Sequence, residues 1–363
     1  MLRGYGNSSV VSPRVLDMTT TEAAGSPDTA PETGATEGPQ VIGSLSPSRA
    51  GDFMTCPLLY RFRVIDRIPE KPSPAAVRGT LVHAVLERLY DLPREQRTPP
   101  AALELLAPQW ERLQAEEPEL ARLFAAAGED GAGDTGDQGE GHTGEGDTGD
   151  RGEGDAGAQG DTGGLDGAAV EREWFEQARQ MVERYFTLED PRRLEPAERE
   201  LFVETVLASG LKLRGYIDRV DVAPSGEIRI VDYKTGTAPR ADFEARALFQ
   251  MKFYALVLWR LQGKVPRLLQ LMYLGNGEVL RYEPDEADLR ATERKVEALW
   301  AAIRRAMETG EWRHRTSRLC DWCDHKERCP GWGGTPPPLP AAPVDRPSPA
   351  DLEVSAYGRG DDL

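Results

Sequence analysis

The chain has 363 residues, with 44 Lys and Arg against 61 Asp and Glu and a formal net charge of −17. It holds only four cysteines and no run of 18 consecutive apolar residues, which argues against a disulfide-rich secreted scaffold and against a membrane-spanning helix. So acidic a chain looks ill suited to a polyanionic partner, but the charge is unevenly spread.

Residues 1–41 are rich in Ser, Thr, Gly and Pro with little periodicity, and are expected to form a disordered tail. They contain no continuous apolar stretch of the secretory type, so a cytoplasmic protein is expected; Met18 is an alternative start. The stretch "SLSPSRAGDFMTCPLLYRFRVID" (44–66) opens on a Ser cap and predicts a helix interrupted or bent near Pro57. Residues 77–92 predict an amphipathic helix with Leu81, Val85 and Leu89 on one stripe, and 101–126 and 169–187 predict two more. Between these last two, residues 128–167 form an irregular Gly-Asp/Glu-Thr repeat with almost nothing to bury. Such a segment cannot offset its ordering entropy, so a disordered acidic insert is expected within a helix–helix loop.

After Pro196 the period falls to two. Strands are predicted over 201–207, 211–222 and 227–233, joined by the turns "ASG" and "APSG" into an antiparallel set. A long helix over 243–263, strands over 266–275 and 278–284, and a helix over 286–309 follow. Residues 335–363, opening on "TPPPLPAAP", read as a second, Pro-rich acidic tail. This order points to one α/β domain, residues 42–334, built on a central mixed sheet flanked by helices. The insert carries twelve acids and one Arg, and each tail five acids and two bases, so the domain itself balances at 39 bases and 39 acids. An acidic substrate is not excluded.

One stretch stands out chemically. "IRIVDYKTG" (228–236) ends an apolar run with Asp232 and Lys234, which project to the same face of a strand while Tyr233 projects to the other. Taken alone this is an ordinary surface ion pair. Asp218 in "GYIDRVD" lies on the hairpin partner, and a short turn can set Asp218 beside Asp232. Two carboxylates brought close repel unless a cation sits between them, so a hard divalent metal is the economical explanation. Lys234 can reach the same place, to orient a water or neutralise a phosphate. His83 is one of four histidines; a lone helical His is more often a partly buried core residue.

Four motifs in order, "GTLVHAVLE" (79–87), "GYIDRVD" (215–221), "IVDYKTG" (230–236) and "QMKFY" (250–254), resemble the RecB-like branch of the PD-(D/E)XK nuclease superfamily. The resemblance spans residues 44–334 apart from the insert and implies a restriction-endonuclease-like core. It also implies Mg2+ or Mn2+ held by His83, Asp218, Asp232 and the backbone carbonyl of Tyr233, with Asp218, Asp232 and Lys234 catalytic. Gln250 and Tyr254, at i and i+4 on one helix face, would contact DNA or support the site. Glu200 and Glu204 are both candidates for the acid of the family's first strand, and the sequence ranks neither.

Cys320, Cys323 and Cys329 read C-x2-C-x5-C, and Cys56 stands alone far upstream. Disulfides suit a cytoplasmic chain poorly. Four-thiolate zinc usually joins two C-x2-C knuckles, whereas a one-plus-three arrangement suits a [4Fe–4S] cluster better. The pattern resembles the iron–sulfur form of the same family, the AddB-type and CRISPR-associated exonucleases. There it implies a structural staple between the first helix and the last segment. Trp312, Trp322 and Trp332 could either stack on bases or pack around the cluster. Arg313, Arg315 and Arg318, like Arg49 and Arg61, could either contact phosphate or form a solvated basic face.

The expected function is a metal-dependent deoxyribonuclease, an exonuclease acting on single-stranded or free DNA ends in repair, recombination or end processing. No G-x-x-x-x-G-K-[ST] is present, so a helicase would be a separate partner, as would any CRISPR protein. The rival from another class is a non-catalytic iron–sulfur subunit that binds DNA ends or assembles such a complex. The joint presence of Asp218, Asp232, Lys234 and His83 argues against it.

Overall fold

The computed structural model describes residues 43–124, 167–238 and 241–340, with the side chains of 241–244 left out. The expected disorder of the N-terminal tail, of nearly all the acidic insert and of the end of the Pro-rich tail, and the Met18 start, lie outside the described residues.

Strand β1 (Gly43–Leu45) leads into α1 (Pro47–Thr55). Its start is fixed by Ser46, whose hydroxyl accepts from Arg49 N at 3.3 Å, with Pro47 at the first helical position. Cys56 is extended, and the chain re-enters helix at α2 (Pro57–Tyr60), continued by a wide turn over Arg61–Ile65. The interruption expected at Pro57 is therefore present. Helix α3 (Pro74–Leu89) buries Leu81, Val85 and Leu89 completely. The single helix expected over 101–126 is instead α4 (Pro99–Glu104), α5 (Leu106–Glu116) and a tight turn over Pro118–Arg122. Prolines at 108 and 118 fall where α5 starts and after it ends, because each removes a backbone donor. Helix α6 (Gly167–Leu188), strands β2 (Glu198–Val206), β3 (Leu211–Val222) and β4 (Ile228–Lys234), helix α7 (Ala241–Gln262), strands β5 (Leu268–Tyr273) and β6 (Glu278–Tyr282) and helix α8 (Glu286–Thr309) follow. Helix α8 opens on a reciprocal cap between Asp285 and Asp288 and stops at Gly310, whose φ of 73° suits glycine.

The strands form one mixed six-stranded sheet, with β3 at its branch point. Strand β2 runs antiparallel along one edge of β3, from Val206 opposite Lys212 to Glu198 opposite Val220. The other edge takes β1 in parallel at Leu211–Leu213 and β4 antiparallel at Arg219–Val222. Among the described residues, 214–218 of β3 have no strand partner on that side. Strand β5 is parallel to β4, reached through α7, and β6 closes the edge. Sequence alternation had not revealed β1, which is three residues long.

Each face of the sheet carries its own core. Ile228 and Ile230 of β4 pack with residues of α1, α7 and α8, while Val231 and Tyr233 pack with α3, α5 and α6. Burial on both faces is why β4 reads as a nearly unbroken apolar run and why charges at its end needed an explanation. Among the described residues no helix is long and apolar enough to cross a membrane.

Candidate active site

The ladder between β3 and β4 ends at Arg219 opposite Val231. One more step would set Asp218 opposite Asp232. There the backbone pairing gives way to a side-chain bond, with Tyr233 N donating to Asp218 Oδ2 at 2.7 Å. On the other edge the β2–β3 ladder keeps its register but omits the single pair Glu200–Asp218. Glu200 has φ of 43°, in the left-handed region that a side chain rarely occupies.

Both strands change faces at this step. Leu201 and Ile217 pack in the α7-side core, yet Arg199 reaches Glu87 O and Arg219 the Tyr90 hydroxyl, both at the α3 side. Residues two apart in a regular strand share a face, so Glu200 and Asp218 mark a local twist. Its result is three acids in a row across three strands, Glu200, Asp218 and Asp232.

Helix α3 brings His83 to this row. Gly79, one turn earlier, lies so close to β4 that an added Cβ would meet Thr235 Oγ1 at 3.1 Å. That close approach puts His83 Nε2 2.8 Å from Tyr233 O and Nδ1 3.6 Å from Asp218 Oδ2. Donor atoms of His83, Glu200 and Asp218 all lie within 4.8 Å of one another, the only such trio among the described residues. Asp232 is outside it, at the flank, with Lys234 Nζ 3.2 Å from its Oδ2. Lys234 Nζ also donates to Gln250 Oε1 at 2.8 Å, and Gln250 bonds in turn to the Tyr254 hydroxyl, one turn on along α7. The Tyr254 ring lies over Gly215, where an added Cβ would stand 2.8 Å from Cε1. The glycines opening "GTLVHAVLE" and "GYIDRVD" thus admit a helix and a ring, respectively.

Electrostatics follow from this crowding. Burial, reinforced by Asp218, pushes the Glu200 carboxyl up to about 8. Burial also pushes Asp232 up to about 7, with Asp218 adding to the shift and Lys234 opposing it. Burial disfavours the His83 imidazolium, but the surrounding carboxylates Asp218, Glu200 and Asp232 outweigh it and raise its pKa. Asp232 Oδ2 is buried without a hydrogen bond of proper geometry. Clustered carboxylates, an imidazole and a backbone carbonyl are the donor set of a hard or borderline divalent cation.

Below the site lies a buried ionic network that sequence reasoning missed. Arg219, 1% exposed, donates to Tyr90 at 2.9 Å, to Tyr233 Oη at 2.5 Å and to the Glu189 carboxylate, and pairs with Asp221 at 3.2 Å. It fixes the ring of the residue whose carbonyl faces His83. Glu204, the other acid considered for the first strand, pairs with Lys212 at 3.2 Å away from the site. The choice between Glu200 and Glu204 is a matter of the twist, which sequence alternation does not report.

The cysteines converge at the other end of α1. Leu58 N donates to Arg313 O at 3.3 Å and Arg315 Nη1 to Met54 O at 2.7 Å, docking the C-terminal segment on α1 and α2. Arg315 N donates to Cys56 Sγ at 3.4 Å, Ser317 N donates to Cys320 Sγ at 3.3 Å, and Cys320 Sγ lies 3.9 Å from Arg315 O. Burial raises the Cys323 thiol, and Cys320 and Cys329 lie near enough to add to the shift. All four thiols are free and half-buried, and no three of them form a set as compact as the His83 trio. Four thiolates on one zinc ion at 2.3 Å would stand only about 3.8 Å apart. The buried His325, between Cys323 and Cys329, is held at 2.7 Å by Glu70 Oε1.

One open alternative is decided and one surface reading needs correction. Trp312 is 8% exposed and stacks on Tyr60 with centroids 6.0 Å apart, so it serves the core and not a base. Arg61 is buried and pairs with Asp66 at 2.9 Å, so it is no part of a basic face.

Comparison with known proteins gives a family. No curated protein matches the chain at a significant level. Among solved structures, a candidate exonuclease from Eubacterium rectale is similar at 13% identity, over 86% of this chain and 92% of that one, with a TM-score of 0.43. The structure titled SSO0001 is similar at 18% identity, over 45% of this chain and 80% of that one, with a TM-score of 0.27. The family profile of the PD-(D/E)XK nuclease superfamily matches residues 44–140 and 154–330, which takes in every strand after β1 and every cysteine. The chain belongs to the PD-(D/E)XK nuclease superfamily.

Proposed function

We propose that this protein is a divalent-metal-dependent deoxyribonuclease of the RecB-like, iron–sulfur branch of its superfamily. It would act as an exonuclease on single-stranded DNA or free DNA ends during repair, recombination or end processing. The observation that carries the reading is the trio His83–Glu200–Asp218 set beside the Asp232–Lys234 pair, in a chain of this superfamily.

The residues divide the work. His83, Glu200, Asp218, Asp232 and the Tyr233 carbonyl would hold Mg2+ or Mn2+, whose charge would offset the burial and the carboxylate repulsion that push Glu200 and Asp232 up. When bound, such an ion would supply Lewis acidity for phosphodiester hydrolysis near neutral pH. Lys234, 3.2 Å from Asp232, would present an amine donor to the phosphate or to the attacking water. Gln250, anchored by Tyr254, fixes the Lys234 rotamer from the α7 side and is a positioning residue. Glu200 joins the site residues here, whereas Glu204 does not.

Cys56, Cys320, Cys323 and Cys329 would hold a [4Fe–4S] cluster as a structural staple. Backbone donors to Cys56 and Cys320 suit thiolate ligands, and a cluster spaces its ligands more widely than one zinc ion does. The test is degradation of end-labelled single-stranded and duplex DNA by anaerobically purified protein with Mg2+ or Mn2+. Cutting should be metal-dependent and lost in Asp232→Ala and Lys234→Ala. DNA binding without any cutting by folded, iron-loaded wild type would overturn the enzymatic reading in favour of an end-binding subunit.

A further inference from the structure

Seven tryptophans occur in the chain, and the structure sorts them sharply. Trp110, Trp174 and Trp312 are buried, and Trp259 and Trp300 are half-buried. Trp322 is 70% exposed and Trp332 53% exposed, and both lie on the short cysteine-bearing segment after α8. Of the large apolar side chains among the described residues, Trp322 is the most exposed. Leaving an indole in water forgoes one of the largest burial gains available to a side chain, so two on one segment call for an occupant.

The surroundings narrow its chemistry. Lys326 Nζ lies over the Trp332 ring, 5.1 Å from its centroid, and is itself anchored to Asp321 O at 2.7 Å. Arg318 and Arg328 are exposed and make no ion pair with any described residue. Between residues 313 and 332 five bases face three acids, Asp321, Asp324 and Glu327, so the field is positive but modest. Flat aromatic faces interleaved with unpaired guanidinium groups suit an unstacked, anionic polymer with planar bases. A duplex hides those faces, and its high charge density would call for a stronger positive field than this one.

We propose that Trp322 and Trp332, with Arg318 and Arg328, form a stacking platform for single-stranded DNA outside the metal site. The proposal rests on the nuclease reading for its choice of nucleic acid, and not on any role of these residues in cleavage. Stacking would dominate, so affinity should respond strongly to ring removal and weakly to salt.

The test is anisotropy of a fluorescein-labelled oligo(dT) of about 20 nucleotides, longer than the sites such platforms occupy. Full-length protein is used in EDTA to prevent cutting. Trp322→Ala and Trp332→Ala should each weaken binding by roughly 5- to 100-fold, as loss of one base–aromatic stack does, and Trp322→Phe should retain most of it. Affinity for a blunt hairpin should change little. Arg318→Gln with Arg328→Gln should flatten the salt dependence, which the Trp variants leave as it was. Matching iron content and thermal unfolding establish that the variants fold. Single-strand affinity within about twofold of the parent in both Ala variants would overturn the platform; so would intact DNA affinity with loss of a protein partner. Hydrolysis of bis(4-nitrophenyl) phosphate with Mn2+ reports on the metal site without a base to stack. Its absence in the parent would sink the nuclease reading while the binding data still judge the platform.

Discussion

Metal-free protein should lose stability as pH rises from about 4 to 8, the reverse of what paired carboxylates produce. Asp232 moves from an unfolded value of 3.8 to about 7 and Glu200 from 4.5 to about 8, in both cases chiefly because burial disfavours the charge. An acid whose folded pKa is raised ionises first in the unfolded chain. Its contribution is intact below the unfolded value, declines through the interval and reaches its full cost above the folded value. For Asp232, 3% exposed, the shift corresponds to roughly 4 kcal/mol at the alkaline end. Glu200 adds less than its own shift suggests, because the two acids share Asp218 as a neighbour. A divalent ion binds only the deprotonated set, so it should recover this loss, about 2.7 kcal/mol at a hundredfold excess over its dissociation constant. Thermal unfolding with and without Mg2+ from pH 5.5 to 8.5 reads the effect. The metal-induced shift should be near zero at pH 5.5 and reach several degrees at pH 8.5, at roughly 2–4 °C per kcal/mol for a domain of this size. Asp232→Asn should flatten the dependence and raise the metal-free melting temperature at pH 8.5. A metal shift of equal size at both ends, or an unaltered profile in Asp232→Asn, would refute the assignment of these acids to a cation site.

Glu200→Gln is expected to weaken metal binding and cut activity by about 100-fold, with Glu204→Gln near wild type in the same titration, which separates the two first-strand acids. Gly215→Ala forces a methyl against the buried Tyr254 ring and Pro47, and should cost roughly 1–3 kcal/mol by urea midpoint. Arg219→Met strands the Glu189 carboxylate and should cost about 3–5 kcal/mol in the same assay, with Arg219→Met/Glu189→Gln recovering part. Glu70 is pushed up by burial but held down to about 2 by His325 and Arg63. Its contribution should therefore be present above about 4.5 and vanish as pH falls towards 2, and acid unfolding of Glu70→Gln should lack that component.

How much of this was legible in the sequence depends on what each residue does locally. Helices α3, α6 and α8 and strands β3 to β6 were readable because apolar periodicity reports burial, and burial is what holds them. The same logic failed at β1, too short to carry a period, and over 101–126, where prolines cut one apolar stripe into two helices. The site divides in the same way. Strand alternation points Asp232 and Lys234 to one face, and hairpin geometry sets Asp218 beside Asp232, whereas His83 and the Tyr233 carbonyl enter only through the family resemblance. Glu200 was not placed, because alternation assumes an even pleat and the pleat breaks at that residue.

That break is the step by which the fold makes the site. A β3 strand with regular faces would direct Asp218 either into the α3-side network, opposite Ile217, or into the α7-side core, opposite Arg219. At the twist it does neither. With its β2 pair omitted and the β4 ladder ended one step away, its carboxylate takes the Tyr233 amide that the ladder would otherwise have used. Glu200 reaches the same place only by adopting φ of 43°, a conformation costing of order 1–3 kcal/mol. The strain and the carboxylate repulsion both oppose folding of the metal-free chain, and only the repulsion is relieved by a cation. Glu200→Gly should therefore stabilise the metal-free protein more than Glu200→Gln does, because it removes strain and repulsion together, and both should respond little to added Mg2+. If Glu200→Gly were the less stable of the two, the left-handed backbone at that residue would be no burden on the fold, and the twist would be set by its neighbours instead.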